Sequence, residues 1–413
     1  MKIVLTTMPK DGEAISWITP KYFKPDNERM MPLGLLSLVT NLPDDVDVEI
    51  LDPPSHGWSI DQTIEEIETR KPDILGLSVV TLQAWPMVEI LRRTTSAYKV
   101  VGGPHATHYA DQILAQGADA VFIGQLADKE FAAAVKTQPR GKVICKTRVD
   151  EIKFPNRRNV DLSFYYPQAN LFKAHNRVVM FSSIGCPYRC VFCDVQTKKT
   201  QRKTPERILD EMIHIHELGA GSIHILDDCF NVNEKEVQEI CRQMDAMNLR
   251  CEWSARGKPV MSPETARMLA ERGFRRIHVG MEALSDTTLE FFNKPYRCAH
   301  IETFSRTMNS AGIDVLGYFI IGAPTETAEY RKTLASKIRD LNIKYPYFNI
   351  LMPLPNTKYY DDLLKEGVFP KDYWREFVEN PVRDFMVPFP YGTEKHDQDV
   401  AFACELINEF KTN

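Results

Sequence analysis

Apolar, strand-like runs alternate with amphipathic, helix-like runs in two successive series along this chain, and that alternation narrows its possible folds more than any other feature. In the first series the strand-like runs are residues 2–6, 46–51, 74–80, 99–101 and 120–123, separated by amphipathic stretches at 32–41, 60–69, 85–95 and 109–116. Strands that return through helices to parallel neighbours imply a doubly wound, Rossmann-like parallel sheet over residues 1–137 of an α/β protein. Ligands on such sheets bind beyond the carboxyl ends of the strands, where residues 78–83, Gly102-Gly103-Pro104-His105 and Gly124-Gln125 all fall. These are the expected binding loops, although glycines at such places also serve simply to make tight strand-to-helix turns.

Residues 138–177 carry Pro, Asn, Arg and Lys with little periodicity and read as a linker. The second series then runs through strand-like residues 178–184, 222–226, 251–255, 276–280, 315–321 and 348–352, with helical patterns such as 204–218 and 234–248 between them. Six such units predict a partial (β/α)6 barrel over residues 178–357 rather than a closed eightfold one, leaving 358–413 as a short C-terminal cap. The proline- and aromatic-rich part of that cap, 381–390, reads as irregular.

A chain of 413 residues has room for two ample cores, and 43% hydrophobic with 26% charged residues excludes collagen-like, disordered and membrane-spanning classes. The formal charge of −5 gives no general attraction to nucleic acid or anionic lipid, so neither is expected as a partner. A local basic run at 198–207 is read as a solvated face, the alternative being a phosphate or carboxylate site. The first apolar run is too short for a signal peptide and reads as a buried strand, from which a cytoplasmic location is expected.

Nine cysteines, an odd number without regular spacing, make a poor disulfide framework. Cys145, Cys229, Cys241, Cys251, Cys298 and Cys404 lie apart and read as small buried hydrophobes. The other three differ, because Cys186-Pro-Tyr-Arg-Cys190-Val-Phe-Cys193 sets three thiols on one loop after the first strand of the second series. An iron–sulfur cluster of four irons held by three cysteines keeps one iron open to an exchangeable ligand. The competing zinc reading needs a fourth protein ligand, Asp194 or a distant histidine. Asp227 and Asp228, Arg256, Glu282 and Gly322 follow at the ends of the later strands, where active sites of barrel-like folds lie.

The cysteine loop, with the aromatic Phe192 before its last cysteine, resembles the signature of the radical S-adenosylmethionine superfamily, and the likeness continues through residues 223–230, 280–285, 317–326 and 353–359. The resemblance implies a 4Fe–4S cluster on Cys186, Cys190 and Cys193, with S-adenosylmethionine chelating the open iron. An electron from an external low-potential donor then cleaves it to a 5′-deoxyadenosyl radical. Within that resemblance Glu282 accepts hydrogen bonds from the cofactor's ammonium or ribose, or else caps the following helix. Asp227 and Asp228 hold cofactor or a substrate amine, or one of them caps the next helix. Arg256 either neutralises the cofactor carboxylate or pairs at the surface, and Ile321-Gly322 either admits the adenine to the backbone or is a strand-end turn.

The first series resembles the cobalamin-binding domain that precedes the barrel in one large subgroup, on residues 31–36, 72–78 and 101–107. Cobalamin contacts are accordingly expected at Leu36, Ser78, Thr81, Leu82, Gln83, Gly102, Gly103 and Gly124, with loop 80–85 covering the lower face of the cobalt. An Asp-x-His-x-x-Gly motif is missing, so no histidine ligand to cobalt is implied; His105 reads as a turn residue, and Ile123-Gly-Gln-Leu-Ala127 replaces the acidic glycine run usual there. Together the two resemblances imply radical methylation of an unactivated carbon in a small molecule or in a peptide or protein residue. A radical cyclase, epimerase or rearrangement enzyme, and a non-catalytic iron–sulfur or cobalamin sensor, are the alternatives. The pattern singles out neither a catalytic acid or base nor a substrate.

Overall fold

The computed structural model describes residues 1–15, 29–157, 160–165, 176–195 and 197–411. The described residues up to 165, together with 371–387, form one compact unit, and 176–370 with 388–411 form another. In the first, β1 (Lys2–Thr7), β2 (Asp47–Leu51), β3 (Ile74–Ser78), β4 (Tyr98–Gly102), β5 (Ala120–Ile123) and β6 (Gly141–Ile144) build a parallel sheet in the order β2-β1-β3-β4-β5-β6. Alternate side chains feed two cores, Val4, Leu75 and Val101 on one face and Ile3, Leu5, Ile74 and Val100 on the other. Strands buried on both faces must be apolar throughout, which is why these segments read as short continuous runs. The strand order reverses between β1 and β3, so a ligand crevice opens above their carboxyl ends.

Two expectations need correction here. Residues 141–144 lie within the expected linker yet pair with β5 as a sixth strand. Four residues of which two stay exposed carry too little apolar pattern to be read as a strand. The cap also divides: residues 371–387 pack with this first unit, where Phe377 and Phe385 stack at 4.4 Å and Gln116 Nε2 donates to the Val378 carbonyl at 2.8 Å. Part of the expected linker, residues 158–159 and 166–175, lies outside the described residues.

The second unit contains β7 (Arg177–Met180), the short β8 (Ser183–Ile184) and β9 (Gln201–Arg202), then β10 (Ser222–Ile225), β11 (Trp253–Gly257), β12 (Phe274–Glu282), β13 (Asp314–Ile321) and β14 (Tyr345–Ile350). Its parallel sheet runs β7-β10-β11-β12-β13-β14, so strands adjacent in sequence among these six are adjacent in space, as successive βα units of a barrel require. Four of the helices between start on side-chain caps: Thr204, Asn233, Ser262 and Thr327 each accept a backbone N–H of the first turn, worth about 1 kcal/mol apiece. The rings of His224 on β10 and His278 on β12 approach to 4.6 Å over the small Ser254 of β11, although next-nearest strands are about 10 Å apart.

The expected strand at 178–184 stops at Met180, and Ser183 and Ile184 pair instead with β9 in an antiparallel ladder. The cause is Asp227, whose carboxylate takes the backbone N–H groups of Ser182 and Ser183 at 2.7 and 2.9 Å and so withdraws them from the parallel ladder. After the irregular stretch 381–390 the chain forms a helix, Thr393–Lys411, laid against β14. Among the described residues no helix is long and apolar enough to cross a membrane.

Candidate cofactor sites

The β8–β9 pair closes the base of the cysteine loop. Gly185 has φ of +85°, and a Cβ there would lie 2.5 Å from Thr197 Cγ2 and 2.6 Å from the Lys199 carbonyl, so only glycine lets the two arms of the loop meet. The Cys186 N–H donates to the Thr197 carbonyl at 3.1 Å and the Cys193 N–H to the Cys190 carbonyl at 3.2 Å. All three cysteines are half-buried, and Cys190 acts electrostatically on both Cys186 and Cys193. Burial pushes the Cys186 and Cys193 thiols up, so bare thiolates are disfavoured there; a cationic metal centre reverses that balance by binding the deprotonated form. Among the described residues no three His, Cys, Asp or Glu side chains close around a single metal ion.

The two adjacent aspartates have different work. Asp227 is fully buried and also accepts the hydroxyls of Ser182 and Ser183, which makes it the clamp at the root of the cysteine loop. Asp228 accepts the Gly185 N–H at 2.7 Å and remains exposed, and its field reaches Cys186. Neither caps the next helix, whose cap is Asn233. Arg256 stands exposed at the end of β11 and acts on Asp228. Glu282 does not cap a helix either: a bulge between Gly280 and Glu282 turns its backbone to φ of +62°, and its carboxylate meets Lys294 Nζ at 2.7 Å. Ile321 is fully buried with its carbonyl taken by the Leu351 N–H, and the Gly322 N–H donates to Glu326 Oε1 at 2.7 Å. Glu326 is in turn bridged by Arg331 to Asp399, so this strand end is held by a charged network.

In the first unit a cavity of about 140 Å³ opens at the switch point, between Leu5 of β1 and the ends of β3, β4 and β5. Glycines 34, 76, 102, 103 and 124 line it together with Ser78, Ser37, Phe122 and Phe131. Gly103 has φ of +94°, and a Cβ there would lie 2.8 Å from the backbone of Val79, which closes the turn to every other residue. A Cβ on Gly76 would meet Leu5 at 2.6 Å, whereas one on Gly102 finds ordinary contact with Phe122 at 3.9 Å. Ser37 and Asp128, joined by a hydrogen bond, fasten the helix Leu33–Val39 over the cavity.

Ser78, Gly102, Gly103 and Gly124 thus line one cavity, but Leu36 is not among them. Successive residues of a helix point about 100° apart; Leu35 and Ser37 face the cavity, while Leu36 lines a separate hollow beside Val48, Ile50 and Phe164. Thr81, Leu82 and Gln83 form a short 3-10 turn beyond β3, outside the cavity wall. His105, wholly buried, holds Thr81 through Nδ1 at 3.3 Å, and the Leu82 carbonyl accepts from the Ala14 N–H at 2.7 Å. Burial lowers His105 to about 3, so its ring stays neutral at ordinary pH. Gly34 and Gly76 were not anticipated, although both lie in the stretches that carry the resemblance; Glu326 closes another such stretch, 317–326, while Lys294, beyond the helix that follows β12, had no sequence signal.

Residues 180–338 match the Radical SAM superfamily, and residues 27–133 match the B12 binding domain. The chain belongs to the cobalamin-dependent radical SAM enzymes. Its cofactors are therefore a 4Fe–4S cluster, S-adenosylmethionine and cobalamin. Among curated relatives of this radical SAM protein, an uncharacterized methyltransferase of Pyrococcus horikoshii is 26% identical over 84% of the chain and 81% of its own length. Hopanoid C-2 methylase of Rhodopseudomonas palustris is 29% identical over 90% of the chain and 69% of its own length. An anaerobic magnesium-protoporphyrin IX monomethyl ester cyclase of Rubrivivax gelatinosus is 23% identical over 77% and 63%, respectively. The radical S-adenosylmethionine methyltransferase TsrM of Kitasatospora setae shares the fold, with a TM-score of 0.62 at 18% identity over 88% of this chain and 75% of its own.

Proposed function

We propose that this radical SAM enzyme is a methyltransferase acting on an unactivated carbon of a small molecule or of a peptide or protein residue. The observation that carries the reading is one chain holding both a three-cysteine loop at strand ends and a glycine-walled cavity at the switch point of a B12 binding domain. Relatives named as a methyltransferase and a methylase match across both parts. When bound, the cluster with S-adenosylmethionine supplies a hydrogen-abstracting radical, and cobalamin supplies the methyl group.

In this reading Cys186, Cys190 and Cys193 hold the cluster, and the donor set fits: three half-buried thiols on one loop, with Cys190 acting on both of the others. Asp228 and Glu282 orient the cationic cofactor, Arg256 offsets its carboxylate, and Ile321-Gly322 bounds its adenine end. Ser78, Gly102, Gly103 and Gly124 would let cobalamin approach the backbone, and Thr81, Leu82 and Gln83, on the turn beyond β3, would shield the bound group from water. Leu36 supports the helix over the cavity and does not reach into it. A low-potential reductant is required, as in other radical SAM enzymes.

The reading is tested by anaerobic reconstitution with cobalamin and iron–sulfur, followed by incubation with S-adenosylmethionine, a strong reductant and candidate substrates. Methyl transfer yields S-adenosylhomocysteine together with 5′-deoxyadenosine. 5′-Deoxyadenosine with a product of unchanged carbon count supports a cyclase or rearrangement instead, the second reading, which the cyclase relative favours. No cleavage under strong reductant leaves the sensor reading.

The cobalt environment carries a further prediction. Leu82 is half-buried on a turn pinned by His105 and Ala14, so Leu82→His produces a cob(II)alamin resonance split by an axial nitrogen, slower methyl transfer and largely intact 5′-deoxyadenosine formation. The wild-type protein and His105→Ala both lack that splitting. Histidine splitting in the wild-type resonance, or an unaltered spectrum in Leu82→His, rejects this placement of the turn.

A further inference from the structure

Lys294 is a buried cation pressed against the cysteine loop. Its Nζ lies 5.0 Å from the centre of the Phe192 ring, immediately before Cys193, and 5.7 Å from the Tyr296 ring. The segment that carries it is strapped along the loop: the Phe292 carbonyl accepts the Val191 N–H at 3.2 Å, Asn293 Nδ2 donates to the Arg189 carbonyl at 2.7 Å, and Phe292 meets Phe192 edge-on at 5.2 Å. Burial opposes the charge on Lys294, but Glu282, Tyr296 and Cys190 more than offset it and hold the ammonium well above its usual range.

Glu282 is the opposing charge, and the backbone is built to place it. The bulge in β12 puts it in a left-handed conformation, and a Cβ on Gly280 would lie 2.2 Å from Glu282 Oε1, so the carboxylate fits only over a glycine. The Tyr296 hydroxyl donates to the Gly280 carbonyl and closes the bulge. The pair is nearly shut off from solvent, with side-chain exposures of 9% and 6%, so water screens neither charge effectively.

We infer that Lys294 is a positioning residue whose buried charge, opposed by Glu282, sets the reduction potential of the cluster held by the cysteine loop. Reduction adds one electron, delivered by an external low-potential donor, and breaks no bond; it adds one negative charge to the cluster and its thiolates. A fixed cation beside that charge favours the reduced form, and a fixed anion disfavours it. The two members of the pair therefore act in opposite directions, which packing alone would not do.

The inference rests on the assignment of the cluster to Cys186, Cys190 and Cys193, and the test separates the two. The full chain is reconstituted anaerobically without S-adenosylmethionine, its iron content and visible absorption are measured, and the cluster is titrated with reductant by electron paramagnetic resonance. Lys294→Gln lowers the midpoint potential, Glu282→Gln raises it, and Lys294→Arg stays near the wild type. Shifts of both glutamine variants in one direction, or no shift in either, overturn the inference while an intact chromophore leaves the cluster assignment standing. Should Lys294→Gln fail to fold, Glu282→Gln decides alone by rising or not. A wild-type chain that takes up no iron–sulfur chromophore overturns the assignment itself.

Discussion

Cys186→Ala, Cys190→Ala and Cys193→Ala each abolish the iron–sulfur absorption and reduce cleavage of S-adenosylmethionine to background, whereas Cys145→Ala and Cys404→Ala leave both intact. The asymmetry follows from where the thiols sit. Three share one glycine-closed loop, with Cys190 acting on both of the others, so losing any one leaves two ligands for a cluster that already has an open iron. Cys145 belongs to the other unit, where burial, reinforced by Glu130, pushes its thiol up to about 12, and it stands outside the loop that brings the three together. Iron per chain and 5′-deoxyadenosine released under strong reductant are the measurements. If Cys145→Ala or Cys404→Ala lost the chromophore as fully as the loop variants, a second cluster would exist and the site described above would be incomplete.

Gly102→Leu weakens cobalamin binding at least tenfold, about 1.4 kcal/mol, and leaves the iron–sulfur site untouched. The choice of glycine matters. A Cβ at Gly102 meets only Phe122 at 3.9 Å, so the backbone accepts it and the rest of the leucine must enter the 140 Å³ cavity. At Gly76 the first added carbon already collides with Leu5, and at Gly103 with the Val79 backbone, so substitutions there disturb the sheet before they test the cavity. Titration with cobalamin followed by absorption gives the affinity, and iron content with thermal unfolding shows that the chain is intact. Wild-type affinity in a folded Gly102→Leu protein would mean that cobalamin does not use this cavity.

Most strands were legible, because a parallel strand covered on both faces is a short apolar run and a helix between strands shows its own period. The cysteine loop was legible for a similar reason, since ligands that must meet within eight residues are read from covalent spacing alone. Where the reading failed, the cause was a competing interaction across space. Ser182 and Ser183 fall between the apolar residues 178–181 and Ile184 in the sequence, yet Asp227, some 45 residues later, takes their N–H groups and ends β7 early. Residues 141–144 join the first sheet on the strength of backbone pairing at an edge, for which no side-chain pattern is required.

By itself the sequence determined the two βα series, the three thiols and the glycine-bearing turns, because period, spacing and the permitted backbone of glycine are properties of neighbouring residues. Only the tertiary structure decided which of Asp227 and Asp228 clamps the loop and which stays exposed, that Leu36 turns away from the cavity, and that Glu282 faces Lys294. Those outcomes depend on a bulge, a helix rotation and the burial of opposite charges, all of which exist only once segments distant in the chain have packed together.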